Sequence, residues 1–159
     1  CRALQQLLPN SVFLDGDWCW NIHPFQVTEE TKALVLDNIC YLLNRFLRCS
    51  LVESVIFCWV MDLQSTLDEI LSRLDTSDCT VKSISLVCHP EVLLKRLQKD
   101  VDEGLREPDI LERAPARLSR YGALDTVKLD VSASTPQEVA MQIAAQQTGC
   151  AMMGGRDSP

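Results

Sequence analysis

Apolar residues along this chain fall into two habits: short dense runs, and longer stretches with an apolar side chain every three or four positions. Val12-Phe13-Leu14 is the first run and predicts a short strand. From Thr28 to Arg48 the pattern changes, with Leu36, Ile39, Leu43, Phe46 and Leu47 recurring at helical spacing. Thr28 can cap that helix, and Glu29 and Glu30 favour its positive end. Val55 to Met61 is almost continuously apolar and predicts a strand buried on both faces. After Asp62, Ser65 is the expected cap of a shorter helix, with Asp68 at its third position and an end near Leu74. Val81 to Val87 predicts another strand. His89-Pro90 then starts a helix whose buried side is Leu93, Leu94 and Leu97. Val127 to Leu129 is a last short strand, and Thr135 with Glu138 forms a capping pair for a helix that turns Val139, Ala140, Ile143 and Ala144 to the sheet. Cys1 to Leu8 reads as the distal part of a helix, and 149–159 as a frayed tail.

Strands alternating with helices, without hairpin turns, predict an α/β fold with a largely parallel sheet covered on both sides. With 159 residues, 47 % of them hydrophobic and 23 % charged, the chain has material for one packed domain, expected over residues 1–148. A net charge of -7 disfavours nucleic acid or an acidic membrane surface as partner. The run around Val52 to Met61 contains Glu53 and is too short to span a bilayer, and no signal peptide is visible, so the expected location is cytoplasmic. Eight cysteines, at positions 1, 19, 40, 49, 58, 79, 88 and 150, include no CxxC pair. Reduced thiols acting as small apolar groups are the simpler reading than a metal cluster.

The densest chemistry lies at Asp15-Gly16-Asp17, directly after the first strand and before Trp18, Cys19, Trp20, Asn21 and His23. Two carboxylates one residue apart at a strand end suit a site for a hydroxyl group or a hydrated cation; they equally suit a turn around Gly16. Trp18 and Trp20 can wall an acceptor pocket or pack a helix on the sheet edge, and His23 can donate to a ligand or cap locally. Asp62 and Asp130 also fall at strand ends, where ligands of parallel sheets bind. The segment from Arg96 to Tyr121 carries Arg96, Lys99, Arg106, Arg113, Arg117 and Arg120, broken by Gly104 and Pro108. It fits a cationic lid over phosphates, or a solvated helical hairpin laced by ion pairs.

The ordered set VFLDGDWCW at 12–20, VIFCWVM at 55–61, ISLVCHPEVLLKRLQKDVDEGLREPD at 84–109 and LDVSASTPQEVA at 129–140 resembles P-loop small-molecule kinases of the AAA-like or shikimate- and gluconate-kinase-like group. The resemblance covers about 145 residues in order and spacing, but the chain lacks GxxxxGK[ST] anywhere. It implies a P-loop three-layer fold with strand order 2-3-1-4-5 whose first strand is absent here, and a lid at about 99–119. It also implies ATP and Mg2+ in an intact parent, with phosphoryl transfer to a small-molecule hydroxyl. Under it Asp17 orients the acceptor hydroxyl, Arg106 acts from the lid, and Asp15 and Asp62 serve the metal. Asp15, Trp18, Trp20 and His23 line the acceptor site; Arg96, Arg113, Asp130 and Ser132 lie near the nucleotide. This chain is then expected to be inactive alone. Alternatives are a nucleotide-binding regulatory module without catalysis and a non-enzymatic interaction protein. An unfilled sheet centre would leave strand edges without partners, each buried loss costing roughly 1–3 kcal/mol, so instability or self-association is the further expectation.

Overall fold

A computed structural model describes residues 1–148. The chain runs α1 (Arg2–Leu7), β1 (Ser11–Asp15), a short 3-10 helix (Gly16–Trp20), α2 (Glu29–Leu47), β2 (Ser54–Cys58), α3 (Gln64–Ser72), β3 (Ile84–Val87), α4 (Pro90–Asp102), α5 (Ile110–Ala123), β4 (Val127–Asp130) and α6 (Pro136–Thr148). β1 pairs in parallel with β2, Val12 opposite Val55 and Leu14 opposite Phe57. β3 pairs in parallel with β4, Leu86 opposite Leu129.

The α/β alternation and parallel pairing agree with the sequence, but the single sheet does not: the described residues form two separate two-stranded sheets. The observed neighbours correspond to 2-3 and 4-5 of the expected order. The proposed tail at 149–159 lies outside the described residues.

Side-chain alternation along the first sheet divides its two covers. Leu14, Val55 and Phe57 pack with Val35, Ile39, Cys40 and Leu43 of α2 and with Ile70 of α3. Phe13 and Ile56 pack on the opposite side with Leu4 of α1 and Ala140, Ile143 and Ala144 of α6. This is the two-sided cover that a dense apolar strand requires. The second strand is nevertheless shorter than its apolar run, because β2 ends at Cys58 and Trp59, Val60 and Met61 leave the ladder. Cys58 and Val60 are exposed, which corrects the expectation of burial on both faces throughout.

Local capping chemistry sets several boundaries. Thr28 and Thr31 make a reciprocal capping box at α2. Pro90 occupies the first turn of α4. At α6 the Thr135 N–H donates to Glu138 Oε2 at 2.7 Å, and the Glu138 N–H donates back to Thr135 Oγ1 at 3.3 Å. Ser65, in contrast, does not cap α3. The helix begins at Gln64, whose amide donates to Asp68 Oδ1 at 2.7 Å while its Oε1 accepts from the Asp125 N–H at 2.8 Å.

Polar ties and α6 connect the halves. α6 follows β4 yet covers Ile56 of the first sheet, and the Lys82 ammonium, just before β3, donates to the Gln146 carbonyl. At the other end, Asp62 after β2 accepts from Arg120 of α5 at 2.8 Å.

Candidate functional site

The backbone after β1 turns directly into the 3-10 helix because Asp15 caps it, Oδ1 accepting from the Asp17 N–H at 3.1 Å. Gly16 in between is buried, and a β-carbon there would meet Trp59 Cγ at 2.5 Å. Only glycine lets the indole lie this close to the backbone. The indole Nε1 in turn donates to Asp17 Oδ1 at 3.1 Å. Asp17 Oδ2 has no hydrogen-bond partner among the described residues. One carboxylate oxygen is held and the other is available as an acceptor.

Asp17 lines an open cleft of about 830 Å³ together with Trp18, Trp20, Asn21, Phe25, Arg113 and Arg117. Trp18 leans edge-on against Phe13, ring centres 5.4 Å apart, and Trp20 lies 5.7 Å from Phe25. Trp20 also packs against the α2 core, so it serves the interior and the cleft at once. The far wall is α5, where Arg113 and Arg117 share a face at i,i+4 spacing. Arg113 Nε is 2.8 Å from Asp109. Asp62 is the shared anchor of the next two arginines, 2.8 Å from Arg120 and 3.8 Å from Arg117.

The structure therefore brings Asp17, Trp18, Trp20 and Arg113 of the sequence-derived set to one cleft. Asn21, Phe25 and Arg117 were missed as cleft residues. Phe25 has no motif around it, whereas the i,i+4 spacing of Arg117 from Arg113 was the usable signal.

The remaining candidates lie elsewhere. His23 is exposed in the connection to α2 and does not line the cleft. Asp15 is occupied as a backbone cap, and Asp62 by arginines. Arg106, after Gly104 with its positive φ of 70°, pairs with Asp100 at 3.1 Å. Arg96, Asp130 and Ser132 form a second cluster around the loop after β4. Arg96 donates to the Val131 and Ser132 carbonyls at 2.9 and 3.3 Å, and the His89 N–H donates to Ser132 Oγ at 2.9 Å. Hydrogen bonds from the Ser132 side chain and backbone N–H hold the Asp130 carboxyl below its ordinary pKa.

Among the described residues no three His, Cys, Asp or Glu side chains gather at one place. With Asp15 and Asp62 engaged by protein donors and no GxxxxGK[ST] in the chain, the residues present do not fit a magnesium centre or a phosphate-binding loop. No helix among the described residues is long and apolar enough to cross a membrane.

No protein-family model matches the chain, and no curated protein matches it in sequence. Solved structures do. The tunicamycin resistance protein of Deinococcus radiodurans superposes with a TM-score of 0.58 at 18% identity, over 92% of this chain and 88% of that one. A kinase-named protein of Chloroflexus aurantiacus J-10-fl superposes with a TM-score of 0.53 at 17% identity, over 93% of this chain and 86% of that one. At these identities the similarity establishes a shared α/β fold.

Proposed function

We propose that this chain supplies the acceptor-binding side of a phosphoryl-transfer site for a small-molecule hydroxyl, with ATP and Mg2+ held by a phosphate-binding loop outside the described residues. The observation that carries this reading is the cleft itself, in which Asp17, fixed by Trp59 through one oxygen, faces the arginine-bearing wall of α5. The structural similarity to a kinase-named protein supports the same class.

Asp17 Oδ2 would accept the hydrogen bond of the acceptor hydroxyl and take its proton as that oxygen bonded to the γ-phosphorus of ATP, with the bond from that phosphorus to the bridging oxygen breaking and ADP leaving. The bond to Trp59 keeps the carboxylate aimed while this happens, and the aromatic rings exclude water from the hydroxyl. Arg113 and Arg117 supply charge-assisted donors to negative oxygen at the cleft. A phosphoryl donor, when bound, supplies the electrophile; catalysis then depends on alignment and neutralisation of charge.

The isolated chain is expected to show no ATP-dependent phosphorylation. In a protein that carries this chain together with a GxxxxGK[ST] segment, Asp17→Asn is expected to lower turnover by about 10²-fold or more with little change in nucleotide affinity. Turnover equal to the parent overturns the role of Asp17. A second reading, a binding module without catalysis, is favoured by the missing phosphate-binding loop; it expects bound ligand and no transfer in any version of the protein.

A further inference from the structure

The cleft's lining also selects among acceptors, and this step rests on the reading of Asp17 as the hydroxyl-binding group. Trp18 is 54% exposed and Phe25 66% exposed, so two large rings beside Trp20 keep most of their surface uncovered around one cavity. Exposed rings grouped on a concave surface mark apolar contact area that a ligand can cover. About 830 Å³ is also far more room than a bare polyol needs.

Charge on the opposite wall is unbalanced. Among the described residues, Arg113, Arg117 and Arg120 have Asp109 and Asp62 as their ion-pair partners. Asp62 is committed to Arg120 at 2.8 Å, which leaves Arg117 with a single loose contact at 3.8 Å. A guanidinium presents five donors in a planar fork, so Arg117 retains most of its capacity for an oxyanion. Its i,i+4 neighbour Arg113 lies on the same face of α5.

We infer that the cleft takes a flat, apolar-bodied molecule carrying both a hydroxyl and an oxyanion group, the body lying on Trp18, Trp20 and Phe25, the hydroxyl at Asp17 and the oxyanion at Arg117 with Arg113. Carboxylate and phosphate share this oxyanion chemistry.

Ligand-observed NMR titrations of the chain test the inference without requiring phosphoryl transfer, so failure of transfer and failure of this ligand class are separable. The probes are 4-hydroxyphenylacetate, 4-hydroxybenzylphosphonate, the neutral 4-hydroxyphenethyl alcohol, and gluconate, which has the charge without the ring. One or both anionic phenols are expected to bind at least about tenfold tighter than either control, with a preference that shrinks as salt is added; the tighter of the two identifies carboxylate or phosphate. Arg117→Ala and Arg117→Gln are expected to bring the anionic phenols to within about twofold of the neutral phenol while leaving the neutral phenol's affinity unchanged. Equal binding of charged and neutral phenols, gluconate binding as well as the phenols, or no binding by any probe overturns the inference.

Discussion

The β1–β2 half and the β3–β4 half of this molecule have the same parallel pairing and different interiors. In the first, Val35 and Ile39 of α2 are completely buried and Leu14, Leu43 and Ile70 nearly so. In the second, α5 has no buried residue, and Leu86 in the middle of β3 is 54% exposed. The first half is therefore a packed platform. The second buries Leu97, Leu124 and Leu129, and directional polar ties also hold it, Arg96 to the loop after β4, Gln64 to Asp125, and Asp62 to Arg120. Asp17 stands on the platform and its facing arginines stand on the other half, so the carboxylate and the positive charge opposite it are positioned separately.

The largest expected effect comes from weakening the platform. Ile39→Ala removes a fully buried side chain, and denaturant unfolding is expected to give a loss of about 2–5 kcal/mol. Leu86→Ala, at a largely exposed position of the other sheet, is expected to change stability by no more than about 0.5 kcal/mol. Equal losses would erase the contrast between the halves.

A smaller effect is expected at the tie. Asp62→Asn removes the carboxylate shared by Arg117 and Arg120, whose side chains are themselves partly exposed, so the global loss is expected to be only about 1–2 kcal/mol. Hydrogen exchange is the sharper measurement: protection in α5 should fall while protection in α2 stays at the parent level. Loss spread evenly over both helices would show that the halves open as one unit.

The smallest effect concerns the α6 cap. Backbone and side-chain hydrogen bonds from Thr135 hold the Glu138 carboxyl below its ordinary pKa. A carboxylate depressed in the folded state contributes stability above the unfolded pKa and loses it as pH falls through the folded value. Stability measured across the acid side of the ordinary glutamate range should thus fall less steeply in Glu138→Gln than in the parent. Identical pH profiles would remove the cap from the acid response.

Elements whose boundaries depend on neighbours in sequence were legible beforehand. Thr28 starts α2, Pro90 starts α4, and Thr135 with Glu138 starts α6, because each cap satisfies backbone groups within three residues. The same local rule failed at Ser65, where Gln64 reaches forward to Asp68 and across to Asp125, a contact that no nearby pattern announces. The shortened β2 has the same origin. Trp59 leaves the strand where it overlies Gly16 and meets Asp17, a relation between segments more than forty residues apart. Asp17 and the tryptophans were visible as a cluster; Phe25 joined them only through folding. The lid reading of Arg106 rests on its place between Gly104 and Pro108 and on the kinase resemblance, whereas the structure pairs that arginine with Asp100 and puts Arg113 and Arg117 at the cleft.

The position of α6 gives the molecule an order of assembly. It packs on α1, the helix farthest from it in sequence, and on Ile56, although it is synthesised after every strand. The α2 side of the first sheet can close as soon as α3 has left the ribosome, while its α1 side must wait until α6 has emerged. Contacts of such long sequence separation form slowly because loop-closure entropy precedes their gain. A nascent chain halted before Pro136 would thus present Leu4, Phe13 and Ile56 without their cover, making that apolar face the natural target of a chaperone during synthesis.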